Sequence, residues 1–252
     1  TVLINDRVQG QVCYDNEELD DLIIARTDGS PTYHLSAVVD DVDMGVTHVI
    51  RGDDHLNNTP RQIHIYNALD ETLPEYAHIP MIHGQDGKKL SKRHGALSIL
   101  EYRDSGFLPA AMINYLSRLG WSSGDKEIFK TNELKDLFRI EGINKAAAKF
   151  DWEKLVWVNH QHLLGMELSA IAGLVRPFFQ MEISSKENRL GRIIELQRER
   201  SKTLKELAEA SGYFFEHPGA FDPKAAEKHF KGAAGEVLMA VKMHLTALKD
   251  WD

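Results

Sequence analysis

The sequence predicts an α/β region followed by an all-α region. Short apolar runs bounded by turn residues occur early in the chain, whereas apolar residues recur at helical spacing from Phe107 onward. In the early part a strand, a helix and a second strand follow one another, which predicts a βαβ unit with parallel strands and a right-handed crossover. The length of 252 residues and the hydrophobic content of 42% are sufficient for a buried core.

The α/β region begins at the first residue, which is not a methionine, so we expect a piece of a longer protein. Leu22–Arg26 is an apolar run suited to a buried strand, and it stops at the turn signal Asp28–Pro31. Further strands are predicted at Val46–Ile50 and His78–Ile82. A helix is predicted between these two strands, with Thr59 as its N-cap and Pro60 as its first residue. Its apolar stripe, formed by Ile63, Tyr66 and Leu69, should face inward.

Caps, prolines and apolar stripes divide the second region into helices. A capping-box pattern at Ser184 and Glu187 begins a long helix that should reach Ala210. Trp121, Trp152 and Trp157 are suited either to stacking on bases or to a core, and their helical spacing favours the core. The other helices are expected to start at Pro109, Thr131, Asn144, Asp151, Met166, Asp222 and Ala234, the last with a stripe of Val237, Leu238, Val241, Leu245 and Leu248.

Composition limits the class of protein. Cys13 is the only cysteine, which excludes a disulfide or a cysteine-based zinc site within the chain and fits a reducing cytosol. No apolar run is long enough for a membrane helix and no signal peptide is recognisable, so a cytoplasmic protein is expected. The net charge of −8 argues against indiscriminate coating of nucleic acid but is compatible with a local basic face.

Two charged clusters are candidates for binding chemistry. In Gly84–Gly95 three lysines and an arginine stand beside a serine, which indicates either a loop for a polyphosphate or a solvated turn. Arg51–His55 follows one predicted strand and the basic loop follows the next, so both should lie at the carboxyl edge of the sheet, where ligands bind. The acidic residues Asp40, Asp41 and Asp43 lack a His or Glu at ligand spacing, which favours a solvated helix end over a metal site.

The basic loop and several other segments together carry a family resemblance. The loop contains K-L-S-K-R at Lys89–Arg93, similar to the K-M-S-K-S signature of class I aminoacyl-tRNA synthetases, which alone indicates only the class. In combination with the other segments it resembles the bacterial glutamyl-tRNA synthetases. Those segments are Y-H-L at Tyr33–Leu35, V-V-D-D at Val38–Asp41, T-H-V-I-R-G-D-D-H-L at Thr47–Leu56, W-V-N at Trp157–Asn159 and R-S-K-T-L-K-E-L at Arg200–Leu207.

The resemblance implies an architecture and a reaction. It implies the C-terminal half of a Rossmann-type catalytic domain over 1–98, a helical stem-contact region over 99–165 and an incomplete helical anticodon-binding domain over 166–252. The implied reaction is ATP-dependent activation of L-glutamate to glutamyl-adenylate, followed by transfer to the 3′ end of tRNA(Glu). ATP with its Mg2+, glutamate and tRNA(Glu) are therefore the expected partners of a monomer without membrane association, resident metal or structural zinc.

Residue roles follow from the family motifs. The signature loop would hold the ATP polyphosphate as it becomes pyrophosphate, and Arg51 would bind the substrate carboxylate. The basic stretch Lys186–Lys205 would meet tRNA, against the alternative of a solvated helix face. The residues implied are Lys89, Ser91 and Lys92 for catalysis; Lys89, Lys92, Arg93, Asp54 and His55 for ATP; Tyr33 and Arg51 for glutamate; and Arg198 and Arg200 for tRNA.

The sequence departs from the family pattern at several positions. Leu90 replaces the usual methionine of the signature loop, and Ala37 stands where some members carry a glutamate-contacting asparagine. The H-I-G-H signature of the class does not occur in the 252 residues, so this piece alone is expected to be inactive.

Three alternatives remain at the level of sequence. A glutaminyl-tRNA synthetase is not expected to carry R-G-D-D-H or helices at its C-terminal end. A shortened enzyme that modifies a tRNA base would end after the stem-contact region. A non-catalytic tRNA-binding module would not need the loop lysines and Arg51, and their retention argues against it.

Overall fold

The computed structural model describes residues 1–90, 98–181, 183, 189–216 and 222–248. These residues belong to two compact units, Thr1–Glu209 and Ala210–Asp252. Ser91, Lys92 and Arg93 of the signature loop lie outside the described residues, as does the predicted capping box at Ser184 and Glu187.

The first unit contains a mixed four-stranded sheet of strand order β2-β1-β4-β3. β1 pairs antiparallel with β2, and β4 pairs parallel with both β1 and β3. The chain passes from β3 through α2 to β4, so the predicted parallel βαβ unit is confirmed. The elements are β1 (Val2–Asp6), β2 (Gly10–Tyr14), α1 (Tyr33–Asp43), β3 (His48–Gly52), α2 (Thr59–Ala68) and β4 (Glu75–Ile79).

Helices and a small second sheet follow, and all of them except the last two residues of the final helix belong to this unit. β5 pairs parallel with β6, which brings the segment before the signature loop beside the start of α6. The helix expected from Asn144 is therefore wrong, because Ala148 and Lys149 form β6 instead. The elements are β5 (Ile82–His83), α3 (Ile99–Asp104), α4 (Pro109–Arg118), α5 (Thr131–Leu137), β6 (Ala148–Lys149), α6 (Trp152–Leu164), α7 (Leu168–Val175), α8 (Leu190–Gln197) and α9 (Leu204–Ser211).

The predicted strands differ from the observed ones. Leu22–Arg26 is not a strand: it makes only an isolated bridge between Ala25 and Pro31, and the side chain of Ile23 is 72% exposed. The Asp28–Pro31 turn is confirmed, since Asp28 Oδ1 accepts the Ser30 backbone N–H at 2.9 Å. β3 begins two residues after its predicted start, and β4 begins at Glu75 and stops at Ile79, before the predicted end.

Two predicted N-caps are one position off. The residues Asp53–Asn58 form a 3₁₀ helix that runs directly into α2, so Asn58 takes the N-cap position and Thr59 is already helical. Thr131 likewise begins α5, behind Lys130. Asp151 is confirmed as the cap of α6, because its carboxylate accepts the Lys154 backbone N–H at 3.0 Å.

The long basic helix expected to reach Ala210 is instead divided into α8 and α9. Ser201 donates its hydroxyl to the Gln197 carbonyl at 3.0 Å, at the end of α8. Thr203 Oγ1 accepts the Glu206 backbone N–H at 3.1 Å, and Glu206 accepts the Lys202 backbone N–H at 2.7 Å. This reciprocal pattern satisfies donors at the start of α9, so a new helix begins where a continuous one was predicted.

Buried apolar clusters form around the sheet and among the helices that follow it. Trp121 is 4% exposed and packs with Phe129 and Leu134, so the core interpretation is confirmed for this tryptophan. Trp152 and Trp157 are 44% and 39% exposed, respectively, and stand at the surface of α6. The two clusters near the sheet contain Val2, Ile4, Ile63 and Tyr76, and Val38, Ile65 and Tyr66.

The second unit contains α10 (Pro223–His229) and α11 (Ala234–Ala247). Asp222 caps α10 as predicted, since its carboxylate accepts the Ala225 backbone N–H at 2.7 Å. α11 is also confirmed, but its apolar stripe is not buried: Val237 and Leu238 are 59% and 54% exposed, respectively. Within the described ranges, no helix has the length and apolar character to cross a membrane.

Candidate active site

Arg51, at the end of β3, is held by a set of buried and half-buried groups. Its Nε donates to His78 Nε2 at 3.1 Å. Its Nη2 donates to Thr59 Oγ1 at 2.9 Å and to Gln62 Oε1 at 2.8 Å. Among the described residues, Nη1 has no hydrogen-bond partner, so its two N–H groups are available to a ligand.

Asp6 and His78 lie behind this arginine and are joined to each other. Both side chains are fully buried, and His78 Nδ1 lies 2.6 Å from Asp6 Oδ2. Although burial opposes it, the hydrogen bonds from the Gln9 backbone and from His78 keep the pKa of Asp6 below its ordinary value. Burial lowers the pKa of His78 despite the attraction of Asp6. The structure therefore holds an ionised carboxylate against a neutral imidazole.

Tyr33 and His55 lie next to each other, and His55 contacts Arg51. Tyr33 is 52% exposed at the start of α1, and its ring centroid lies 6.3 Å from that of His55. The His55 carbonyl accepts Arg51 Nη2 at 3.4 Å, and the His55 ring contacts Asn58 at 3.1 Å. His34 follows Tyr33, and burial lowers the pKa of its ring with further contributions from Arg61 and Arg51.

The signature loop meets the R-G-D-D-H segment through an ion pair. Lys89 Nζ donates to Asp54 Oδ2 at 2.9 Å, and this hydrogen bond lowers the pKa of Asp54. The Lys89 and Asp54 side chains are 63% and 44% exposed, so the pair contributes little to stability and can exchange for another anion. The prediction that these two clusters share one rim agrees with this contact.

The structure thus brings five of the predicted site residues together: Tyr33, Arg51, Asp54, His55 and Lys89. Arg198 and Arg200 have no contact with this cluster in the described part of the chain. The Arg198 side chain donates to the Leu164 and Met166 carbonyls at 3.5 Å, beside the end of α6. Arg200 is exposed in the connection between α8 and α9.

Sequence reasoning missed the residues that support Arg51, namely Asp6, Thr59, Gln62 and His78. They come from β1, α2 and β4, so only the folded sheet brings them together. A weak signal was present at His78, which stands between the apolar residues Ala77 and Ile79. For the acidic residues at the end of α1, the interpretation as a solvated helix end stays a prediction. Where residues are described, no group of three or more His, Cys, Asp or Glu side chains is arranged to hold a metal ion.

Comparison with known proteins gives concordant results. Residues 1–157 match the family described as tRNA synthetases class I (E and Q), catalytic domain, and residues 170–252 match an anticodon binding domain. A curated relative, glutamate–tRNA ligase 1 of Alkalilimnicola ehrlichii, is 50% identical over 252 residues, which are 99% of this chain and 54% of the relative. The chain therefore spans about half the length of the relative it matches.

Two solved structures show the same likeness. A glutamate–tRNA ligase from Elizabethkingia meningosepticum, crystallised with its amino acid, matches with a TM-score of 0.82 and 31% identity over 98% of this chain and 53% of that one. A glutamate–tRNA synthetase from Elizabethkingia anophelis matches with a TM-score of 0.79 and 31% identity over the same shares.

Proposed function

Because the chain belongs to the class I tRNA synthetases of the E and Q type, we propose that the protein carrying it is a glutamate–tRNA ligase. In the first step the α-carboxylate of L-glutamate attacks the α-phosphorus of ATP, and the bond to the pyrophosphate group breaks. In the second step the terminal ribose hydroxyl of tRNA(Glu) attacks the acyl carbon, and AMP leaves. Both steps depend mainly on positioning and on stabilisation of charge.

One observation supports the proposed preference for glutamate over glutamine: Nη1 of Arg51 has no hydrogen-bond partner among the described residues. A guanidinium stays cationic at physiological pH and donates strong hydrogen bonds to a carboxylate. Its other nitrogens are bound to His78, Thr59 and Gln62, so among the described residues Nη1 alone is left to donate to a substrate. An amide in place of the carboxylate would lose the charge assistance, whereas Tyr33 beside the site is a supporting donor for either substrate.

We assign the ATP phosphates to the signature loop. In the structure Lys89 is paired with Asp54 at the surface. A triphosphate carries more negative charge than one carboxylate, so it would displace Asp54 as the partner of Lys89. Ser91, Lys92 and Arg93 would complete the grip, and the released Asp54 and His55 would line the adenosine. Mg2+ would enter with ATP, held mainly by phosphate oxygens and water.

The anticodon binding match over residues 170–252 supports tRNA(Glu) as the macromolecular partner. We propose Arg200 as a contact to tRNA, since it is exposed, and Arg198 as a weaker candidate, since its guanidinium is directed to the end of α6. A monomer in the cytoplasm is the proposed state, supported by the single cysteine and the family resemblance.

The test is ATP–pyrophosphate exchange by the natural protein in the presence of tRNA(Glu), with glutamate and glutamine compared. Exchange is expected with glutamate and not with glutamine. Exchange with glutamine alone would favour a glutaminyl enzyme. Retained tRNA binding without exchange under either condition would favour a non-catalytic module.

A further inference from the structure

We propose that Asp6 and His78 form a buried positioning pair that fixes the guanidinium of Arg51 and so sets the choice of an acid over an amide. This inference rests on the proposed glutamate specificity of Arg51. Asp6 lies on β1, His78 on β4 and Arg51 on β3, so the pair connects three neighbouring strands to the substrate-facing group.

The hydrogen-bond chemistry permits only one arrangement of the His78 proton. Arg51 Nε can only donate, so His78 Nε2, at 3.1 Å, must carry a lone pair. The ring proton is then on Nδ1, which donates to Asp6 Oδ2 at 2.6 Å. The negative charge of Asp6 reaches the arginine through a neutral imidazole.

The carboxylate is itself fixed from several directions. Asp6 Oδ1 accepts the backbone N–H groups of Val8 and Gln9 at 2.9 and 2.8 Å, respectively. The His78 backbone N–H lies 3.1 Å from both carboxylate oxygens. His78 also stacks on Tyr76, with ring centroids 6.1 Å apart and planes inclined by 13°. These contacts hold the carboxylate and the ring in place, and the ring in turn offers Arg51 Nε an acceptor in a fixed position.

Stability is a poor explanation for such an arrangement. Burying ionised and polar groups costs desolvation energy, and well-packed apolar residues often stabilise a core equally well or better. The chain instead places a buried carboxylate, an imidazole and an arginine in one line that ends at the free Nη1. An arginine side chain is long and flexible, so an orienting partner at Nε reduces the directions that its terminal nitrogen can take.

Two substitutions of His78 separate its hydrogen bond with Asp6 from its hydrogen bond with Arg51; Nε2 also lies 3.1 Å from Thr59 Oγ1. An asparagine amide can replace Nδ1 and still donate to Asp6, but it does not reach Arg51. A glutamine amide oxygen can replace Nε2 as the acceptor for Arg51, but the link to Asp6 is lost. His64, which is exposed on α2, provides the matched control His64→Asn.

The experiment measures kcat/KM for glutamate and glutamine in the natural protein. His78→Asn is expected to lower the glutamate-to-glutamine ratio about tenfold to a hundredfold, the size expected for a hydrogen bond to a charged group, mainly through the KM for glutamate. His78→Gln should recover part of the ratio, and the KM for ATP and the His64→Asn control should stay unchanged. A purely structural role would lower both activities together and leave the ratio intact, which would overturn the inference.

A second measurement does not depend on activity or on a variant that folds. The ¹⁵N spectrum of the His78 ring in the wild-type chain at neutral pH should show a protonated Nδ1 and an unprotonated Nε2. The opposite tautomer or a doubly protonated ring would overturn the inference. If the wild type activates no glutamate, the proposed function fails, whereas an active wild type with an unchanged ratio in His78→Asn refutes only the positioning pair.

Discussion

Arg51 is half-buried and well anchored, and in the proposed function it is also the donor to the substrate carboxylate. Its Nε and Nη2 donate to His78, Thr59 and Gln62, whereas its Nη1 has no hydrogen-bond partner among the described residues. Because guanidinium donors lie in one plane, fixing two nitrogens also fixes the third. A lysine would give a charge without this fixed direction.

Arg51→Gln is expected to lower kcat/KM for glutamate by about two orders of magnitude or more, because the substrate carboxylate loses its counter-charge. Activity with glutamine should change much less. Steady-state exchange assays with both amino acids measure this. Unchanged glutamate kinetics would show that another group recognises the carboxylate.

Lys89→Gln is expected to lower kcat for adenylate formation about a hundredfold or more, with little effect on glutamate binding, since its contact with phosphate strengthens as charge develops. Single-turnover formation of glutamyl-adenylate, with the glutamate dependence taken separately, measures both quantities. Lys88→Gln is the neighbouring control. If the rate constant survives, Lys89 has no part in the reaction beyond its ion pair with Asp54.

The histidines predict how stability depends on pH. Burial lowers the pKa of His34, His78 and His162 below the ordinary value of 6.5. The unfolded chain therefore takes up protons below pH 6.5 that the folded chain resists, so folding stability should fall as the pH drops from 6.5. Urea unfolding at neutral and mildly acidic pH measures this. A midpoint that stays constant or rises on acidification would contradict it, and His64→Asn should retain the dependence.

At the scale of elements, the start of α9 is defined by side chains. Thr203 accepts the backbone N–H of Glu206 in the first turn, and Glu206 accepts the backbone N–H of Lys202 just before the helix. The basic residues continue through this point, so their pattern predicted one helix where the structure has two. Charge pattern does not report helix ends, whereas the Thr-x-x-Glu spacing does.

Thr203→Ala should lower the free energy of unfolding of the chain by about 1 kcal/mol, the usual cost of losing an N-cap side chain. Thr131→Ala is the matched control, because Thr131 begins α5 without a side-chain cap bond and should cost less. Chemical denaturation of both variants provides the comparison. Equal losses would show that the Thr203 hydroxyl does not act as a cap.

The two candidate tRNA contacts, Arg198 and Arg200, both lie between α8 and α9 but differ in their surroundings. Arg200→Ala should weaken tRNA(Glu) binding and make it less dependent on salt, because a phosphate contact releases counterions. Arg198→Ala should act mainly on stability, since its guanidinium meets carbonyls at the end of α6. Filter binding at several salt concentrations tests both. An Arg200→Ala variant with wild-type affinity and salt slope would make this surface an ordinary solvated one.

At the scale of the whole molecule, sequence patterns located the βαβ unit, most helices and the shared rim of Arg51, Asp54 and Lys89. They failed where tertiary contacts override local pattern. Leu22–Arg26 has the apolar run of a strand but pairs only at Ala25. Ala148 lies in a segment whose composition favours a helix, yet it pairs with β5 as part of β6. The contact between Asp6 and His78 could not be predicted, because the two residues are 72 positions apart in the sequence. The domain boundaries at residues 98 and 165 stay predictions.

The contact between Gly106 and the start of α9 affects how the chain matures during synthesis. Gly106 has a φ of +82°, its carbonyl accepts the Leu204 backbone N–H at 3.0 Å, and a Cβ there would lie 2.5 Å from Lys205 N. Asn159 similarly donates its amide to the Lys202 carbonyl at 2.6 Å. The segments around Gly106 and Asn159 are synthesised early, but their contacts with residues 202–205 can form only after that later part of the chain has left the ribosome. A nascent chain arrested before this strip should be more readily cleaved by protease near Gly106 than one arrested beyond it.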